Sequence, residues 1–154
     1  QNLNISRTEA QEIISAYFTE FPGVKRYMDE QVNKAREFTY VETILGRRRY
    51  LRDIHSKNMI GRGHAERNAI NAPIQGSAAD IVKIAMINIH RWMKEENLKS
   101  KMIMQVHDEL VFDVHKSELE LLKTKVPELM KSAIELEVPM DVEVGVGENW
   151  LIAH

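Results

Sequence analysis

Apolar residues recur at helical spacing in the first part of the chain, at Ile13, Ile14, Tyr17, Phe18 and Phe21, and again at Val24, Tyr27, Met28 and Val32. The pattern predicts two amphipathic helices that turn these stripes inward. Ser6-Arg7-Thr8-Glu9 is a capping box: the serine side chain accepts from the backbone three residues on, and the glutamate reaches back to the serine amide. The first helix should therefore start near Arg7, and Pro22-Gly23 should end it and open the second. From Thr39 the period changes. FTYVETILGRRRYL is β-branched and aromatic with a break at Gly46, which predicts a hairpin. DIHSKNMIGRGHAERN is polar with two glycines, so a loop feeding a short helix is expected.

Beyond Pro73, QGSAADIVKIAMINIHRWMKEEN carries Ile81, Ile84, Ala85, Ile89, Trp92 and Met93 at helical spacing and predicts the longest helix. Lys101–Val106 and residues 110–114 predict a second hairpin. Ser117-Glu118-Leu119-Glu120 has the form of another capping box, with a helix to about Glu135 that should kink or divide at Pro127. Val138, Met140, Val142, Val144 and Val146 alternate as in a half-buried strand. The expected class is α+β, an antiparallel sheet of three to five strands with helices packed on it.

Length and composition add limits. A chain of 154 residues with 44% hydrophobic content can bury one core, and no apolar run approaches the ~20 residues of a membrane span. No membrane partner is expected. Cysteine is absent, so disulfides and thiolate metal sites are excluded and a reducing cytoplasm fits. The formal charge of -2 hides an asymmetry. Residues 47–67 hold seven Lys or Arg against two acids, and residues 116–143 hold four against seven. A polyanion would lie along the basic stretch, which begins with Arg47, Arg48 and Arg49. The chain begins with Gln1 and not Met, the expectation for a piece of a longer protein.

The most polar triplet of the second hairpin, His107-Asp108-Glu109, falls at its reversal with no glycine to ease the turn. Asp and His are among the few residues other than Gly and Asn that tolerate the positive φ such turns require. The turn can centre on His107-Asp108 or on Asp108-Glu109. Either register gives two largely apolar faces, so the hairpin is expected inside a molecule with two adjacent carboxylates at its tip. Such a pair repels unless a cation sits near, and its oxygens suit Mg²⁺.

In this setting the chain resembles family A DNA polymerases. MIMQVHDELVFDV is similar to a polymerase motif of that family, HAERNAINAPIQGSAADIVKIAM to the helical segment preceding it, and TILGRRRYL and VPMDVEVGVGENW to further segments in the same order. The resemblance implies that Asp108 is a ligand for two catalytic Mg²⁺ ions, that Glu109 is an auxiliary acid, and that His107 approaches the primer terminus. It also implies that Arg67, Asn71 and Gln75 contact the primer-template duplex. Their i, i+4, i+8 spacing lines them on one side of a helical path that Pro73 would bend, and an arginine and two amides suit phosphate and minor-groove acceptors.

A DYSQIELR-like strand and a fingers helix of the form RRxxKxxNFGxxYG are both absent from the chain. By the family's arrangement they belong upstream, with the dNTP site. About 1–75 would then be fingers-side helices, hairpin and loop, and about 76–154 palm, and the chain alone would be inactive. The alternative is a non-catalytic nucleic-acid-binding α+β module.

Overall fold

A computed structural model describes residues 5–153. The chain divides into two compact units, Gln1–Gln75 and Gly76–His154.

In the first unit, α1 (Arg7–Glu20) starts at the expected capping box. Ser6 accepts from the Glu9 amide at 3.2 Å and the Glu9 carboxylate accepts from the Ser6 amide at 2.8 Å. Phe21 ends α1, and α2 (Pro22–Phe38) follows at once. The stripe of α1 does not turn inward as its period predicts: Ile13, Ile14, Tyr17 and Phe21 are all exposed. Helical period reports that a face is apolar, while burial needs a surface to receive it. On α2 the inward residues are Ala35 and Val32, and Val24 is exposed.

The predicted hairpin forms as β1 (Tyr40–Glu42) and β2 (Arg48–Tyr50), antiparallel, with Val41 opposite Arg49. Gly46 supplies the left-handed residue of its connection at φ 76°. The polar stretch after it is not a loop. A 3-10 turn (Arg52–His55) leads to Asn58, whose side chain accepts from the Ile60 amide at 3.0 Å and whose carbonyl accepts from Arg62 at 2.9 Å, the start of a helix. That helix, α3 (Met59–Glu95), passes through Gly61, Gly63 and Pro73 without interruption. Its first half buries Ala65 and Ala69 with Ala35, Val41, Leu51 and Ile54. The Tyr27 hydroxyl donates to the Ile70 carbonyl at 3.1 Å, one residue from the carbonyl that Pro73 leaves without its helical donor. Tertiary packing thus outweighs the local cost of glycine and proline.

In the second unit the later part of α3 carries β3 (Lys101–Val106) and β4 (Glu109–Asp113), an antiparallel pair. Met102 faces Phe112 and Met104 faces Val111, so Ile103 is an extra, bulged residue. The bulge brings Met102 onto the face of Leu110 and Phe112. That face packs on Ala85, Ile89, Met93, Leu122 and Val126. The opposite face is not buried as expected, since Ile103 and Met104 are 59% and 42% exposed.

The second capping box does not form. Ser117 lies inside a 3-10 turn (Lys116–Glu118) and bonds to the His115 ring at 2.9 Å, while Glu120 pairs with Lys123. Helix α4 (Leu119–Lys131) runs through Pro127 and stops short of Glu135. Residues 138–146 form no strand, and the expected sheet of three to five strands is replaced by two separate two-stranded sheets. Alternation predicts a chain able to pair, and among the described residues no strand pairs with this one. Its glycines instead receive α5 (Trp150–Ala153): a side chain at Gly145 would overlap the Ala153 carbonyl, and one at Gly147 would lie 2.8 Å from the Ala153 nitrogen. The class remains α+β.

Candidate active site and nucleic-acid interface

Val106 pairs with Glu109, which settles the turn on His107 and Asp108. His107 has φ 54° and Asp108 does not share the positive sign, so the first turn residue alone takes the left-handed conformation. Glycine is the usual occupant of such a position. The Gln105 amide group donates to the His107 carbonyl at 2.9 Å and stiffens the turn. Asp108 is exposed at the tip, and among the described residues no ion pair neutralises it. Glu109 is partly buried. Its carboxylate receives the Trp150 indole N–H at 3.4 Å, a link between distant segments that no local pattern reveals.

The two adjacent carboxylates therefore differ in setting: Glu109 is tied back to α5, and Asp108 points out. No group of three metal-ligating side chains occurs among the described residues. One or two carboxylates, with water and phosphate oxygens in the remaining positions, nevertheless suit Mg²⁺. The donor chemistry fits a centre completed by other groups.

On the first half of α3, the exposed positions from Ile60 onward are Ile60, His64, Arg67, Asn71, Ile74 and Gln75. At 100° per residue they fall within an arc of about 100°, so Arg67, Asn71 and Gln75 do share one open stripe. One continuous helix carries all three, with Pro73 inside it. His64 belongs to the same stripe, three residues before Arg67, and this spacing was the signal available for it. The Arg67 guanidinium lies beside Gly63, at ordinary contact distance, 3.7 Å, from the position a Cβ there would occupy.

The three consecutive arginines are not equivalent. Arg48 bonds Glu42 at 3.1 Å and stacks 4.5 Å over the Tyr40 ring, and the Glu42 carboxyl is held below its ordinary range by Arg48 and then Lys34. All three arginines are exposed. Elsewhere in the basic stretch, Glu66 pairs with Arg36 at 2.8 Å and lies 3.9 Å from Arg62.

The family model for DNA polymerase family A matches residues 1–152. This chain belongs to that family. It is 53% identical to DNA polymerase I of Bacillus caldotenax and 52% identical to that of Geobacillus stearothermophilus, each over 150 residues. Both alignments cover 97% of this chain and 17% of the relative, so the chain spans about a sixth of those proteins. Among solved structures it matches the POL domain of Pol1 from M. smegmatis in complex with DNA primer-template and dNTP. That match has a TM-score of 0.95 and 48% identity, covering 98% of this chain and 27% of the other.

Proposed function

We propose that this chain is the fingers-side and palm portion of a template-directed DNA polymerase that extends a primer 3′-hydroxyl. The observation that carries the proposal is an exposed, un-neutralised Asp108 on a stiff, left-handed hairpin tip in a family A chain. Residues 1–75 are assigned to the fingers side and 76–154 to the palm.

Asp108 offers its oxygens to divalent cations at the primer end. Two Mg²⁺ ions, when bound, would lower the pKa of the 3′-hydroxyl and neutralise phosphate charge during in-line displacement of pyrophosphate. Glu109, held by Trp150, shapes the field beside Asp108, and His107 projects toward the primer terminus. Arg67, Asn71 and Gln75 grip the duplex: eight residues of helix span ~12 Å, or three to four base-pair steps. Their donors reach phosphate and minor-groove acceptors that every sequence offers, and a polymerase requires that indifference. Arg47, Arg48 and Arg49 add positive charge to the same function.

The partners are primer-template DNA, dNTP and the upstream part of the same polymerase, which supplies the second metal-binding aspartate and the nucleotide-binding helix. The setting is the bacterial cytoplasm near the nucleoid; no described helix is long and apolar enough to cross a membrane. Primer extension in Mg²⁺ with all four dNTPs tests the proposal. The full-length gene product should synthesise a template-directed copy and the 154-residue chain should not. Failure of the full-length protein to copy a template would overturn the proposal, and copying at enzyme rates by the isolated chain would overturn its dependence on upstream groups.

A further inference from the structure

Ser100 immediately precedes β3, and His115 lies two residues beyond the end of β4. They bracket the open end of the hairpin whose tip is Asp108. The last backbone pair of the ladder is Lys101 with Asp113. Beyond it the connection continues through side chains. The Ser100 hydroxyl accepts from the His115 amide at 2.9 Å and donates to Glu118 at 2.6 Å. The same Glu118 carboxylate accepts from the Ser100 amide at 2.9 Å and from the Lys99 amide at 3.0 Å. One carboxylate thus holds the incoming strand by two amides and, through Ser100, the outgoing strand as well.

This carboxylate has another use open to it and does not take it. Glu118 is the residue before α4, yet its side chain makes no capping bond to that helix. Its hydrogen bonds all go to the hairpin base. Ser100 is 5% exposed and Glu118 is partly buried, while Lys99 is exposed. The three donors from Lys99 and Ser100 favour the ionised carboxylate and hold it well below the usual range.

We propose that Glu118, acting through Ser100, is a positioning residue that locks the base of the hairpin and so fixes where Asp108 stands relative to the primer end. The inference rests on the metal-binding role proposed for Asp108. Its leverage is geometric. Six residues of β3 extend ~20 Å, so a tilt of ~3° at the base displaces the tip by ~1 Å. Misplacement on that scale can cost up to ~10²-fold in rate.

The test compares wild type, Glu118→Gln, Ser100→Ala, Ser100→Thr and Asp108→Asn in the full-length gene product. Single-turnover extension rate, Mg²⁺ half-saturation and primer-template Kd are measured for each. Glu118→Gln and Ser100→Ala should slow extension by roughly 10-fold or more and raise the Mg²⁺ requirement, with Kd within about 2-fold. Ser100→Thr, which keeps the hydroxyl, should restore the rate. Wild-type rates in the first two variants would overturn the inference, as would parallel loss of rate and duplex binding, the mark of general damage. If Glu118→Gln does not fold, the contrast between Ser100→Ala and Ser100→Thr decides alone. Full activity in Asp108→Asn would remove the underlying role and this inference together, whereas an inactive Asp108→Asn beside wild-type Glu118→Gln and Ser100→Ala would remove only this one.

Discussion

In the β1–β2 hairpin the left-handed position is a glycine, Gly46, and the carboxylate of Glu42 meets Lys34 at 3.2 Å and Arg48 at 3.1 Å. In the β3–β4 hairpin the left-handed position is His107, and Asp108 stands exposed with no such cation beside it among the described residues. Both are short antiparallel pairs seated on helices. The first satisfies its conformational and electrostatic demands locally, as a hairpin selected for stability would. The second retains strain and an unanswered charge at its tip while its base is held by Glu118 and its inner face by Leu110 and Phe112. Strain and uncompensated charge that persist on a well-supported element point to function.

The largest effect should come from removing that charge. Asp108→Asn in the full-length gene product is expected to lower single-turnover extension by at least ~10³-fold, about 4 kcal/mol, with duplex affinity nearly unchanged. Glu42→Gln, the matching change in the other hairpin, should leave extension close to wild type. If the two substitutions cost the same, the contrast between the hairpins has no functional meaning.

Core truncation comes next. Ile89 is fully buried beneath β3–β4 and Ile54 is 1% exposed in the core beside β1–β2, so Ile89→Ala and Ile54→Ala should each destabilise by about 2–5 kcal/mol in urea melts. The comparison sharpens if Ile89→Ala also slows extension more than Ile54→Ala at matched stability.

Duplex contacts should be smaller. Arg67→Ala is expected to weaken primer-template binding by about 5- to 10-fold and reduce the salt slope by about one, while Gln75→Ala weakens binding without changing the slope. Anisotropy of a labelled duplex across a salt series separates the two. Arg49→Ala should resemble Arg67→Ala. Arg48→Ala should chiefly loosen its hairpin, because Arg48 is engaged with Glu42 and Tyr40.

The smallest effect is in acid. The amide of Lys99, then the hydroxyl and amide of Ser100, depress the Glu118 carboxyl to about 2. A group whose pKa falls on folding stabilises above its unfolded value of about 4.3 and loses that contribution as pH drops toward 2. Glu118→Gln should therefore lower stability at pH 7 and flatten the acid loss between about pH 4 and 2, measured by urea midpoints.

Local signals carried much of this structure and failed where distant groups decide. The Ser6–Glu9 box, the Gly46 hairpin and the HDE turn were legible because each is specified within a few residues. The passage of α3 through Gly61, Gly63 and Pro73 was not, since its support comes from the packed alanines and the Tyr27 hydroxyl. The Ser117 box had the right letters, but Ser117 is engaged by His115 and Glu120 by Lys123. Valine alternation over residues 138–146 described a surface able to pair, not a partner. At the candidate site, the residue types at the tip were plain in the sequence, whereas the roles of Trp150 and Glu118 required the fold.

Loss of extension can follow from many kinds of damage, so the central claim is tested most directly by metal binding. Mn²⁺ affinity, read by paramagnetic relaxation in a complex of the full-length gene product with primer-template and a non-hydrolysable dNTP, should fall by at least ~10-fold in Asp108→Asn and stay unchanged in Glu42→Gln. Equal Mn²⁺ affinity in wild type and Asp108→Asn would show that the exposed carboxylate at the hairpin tip is not a metal ligand.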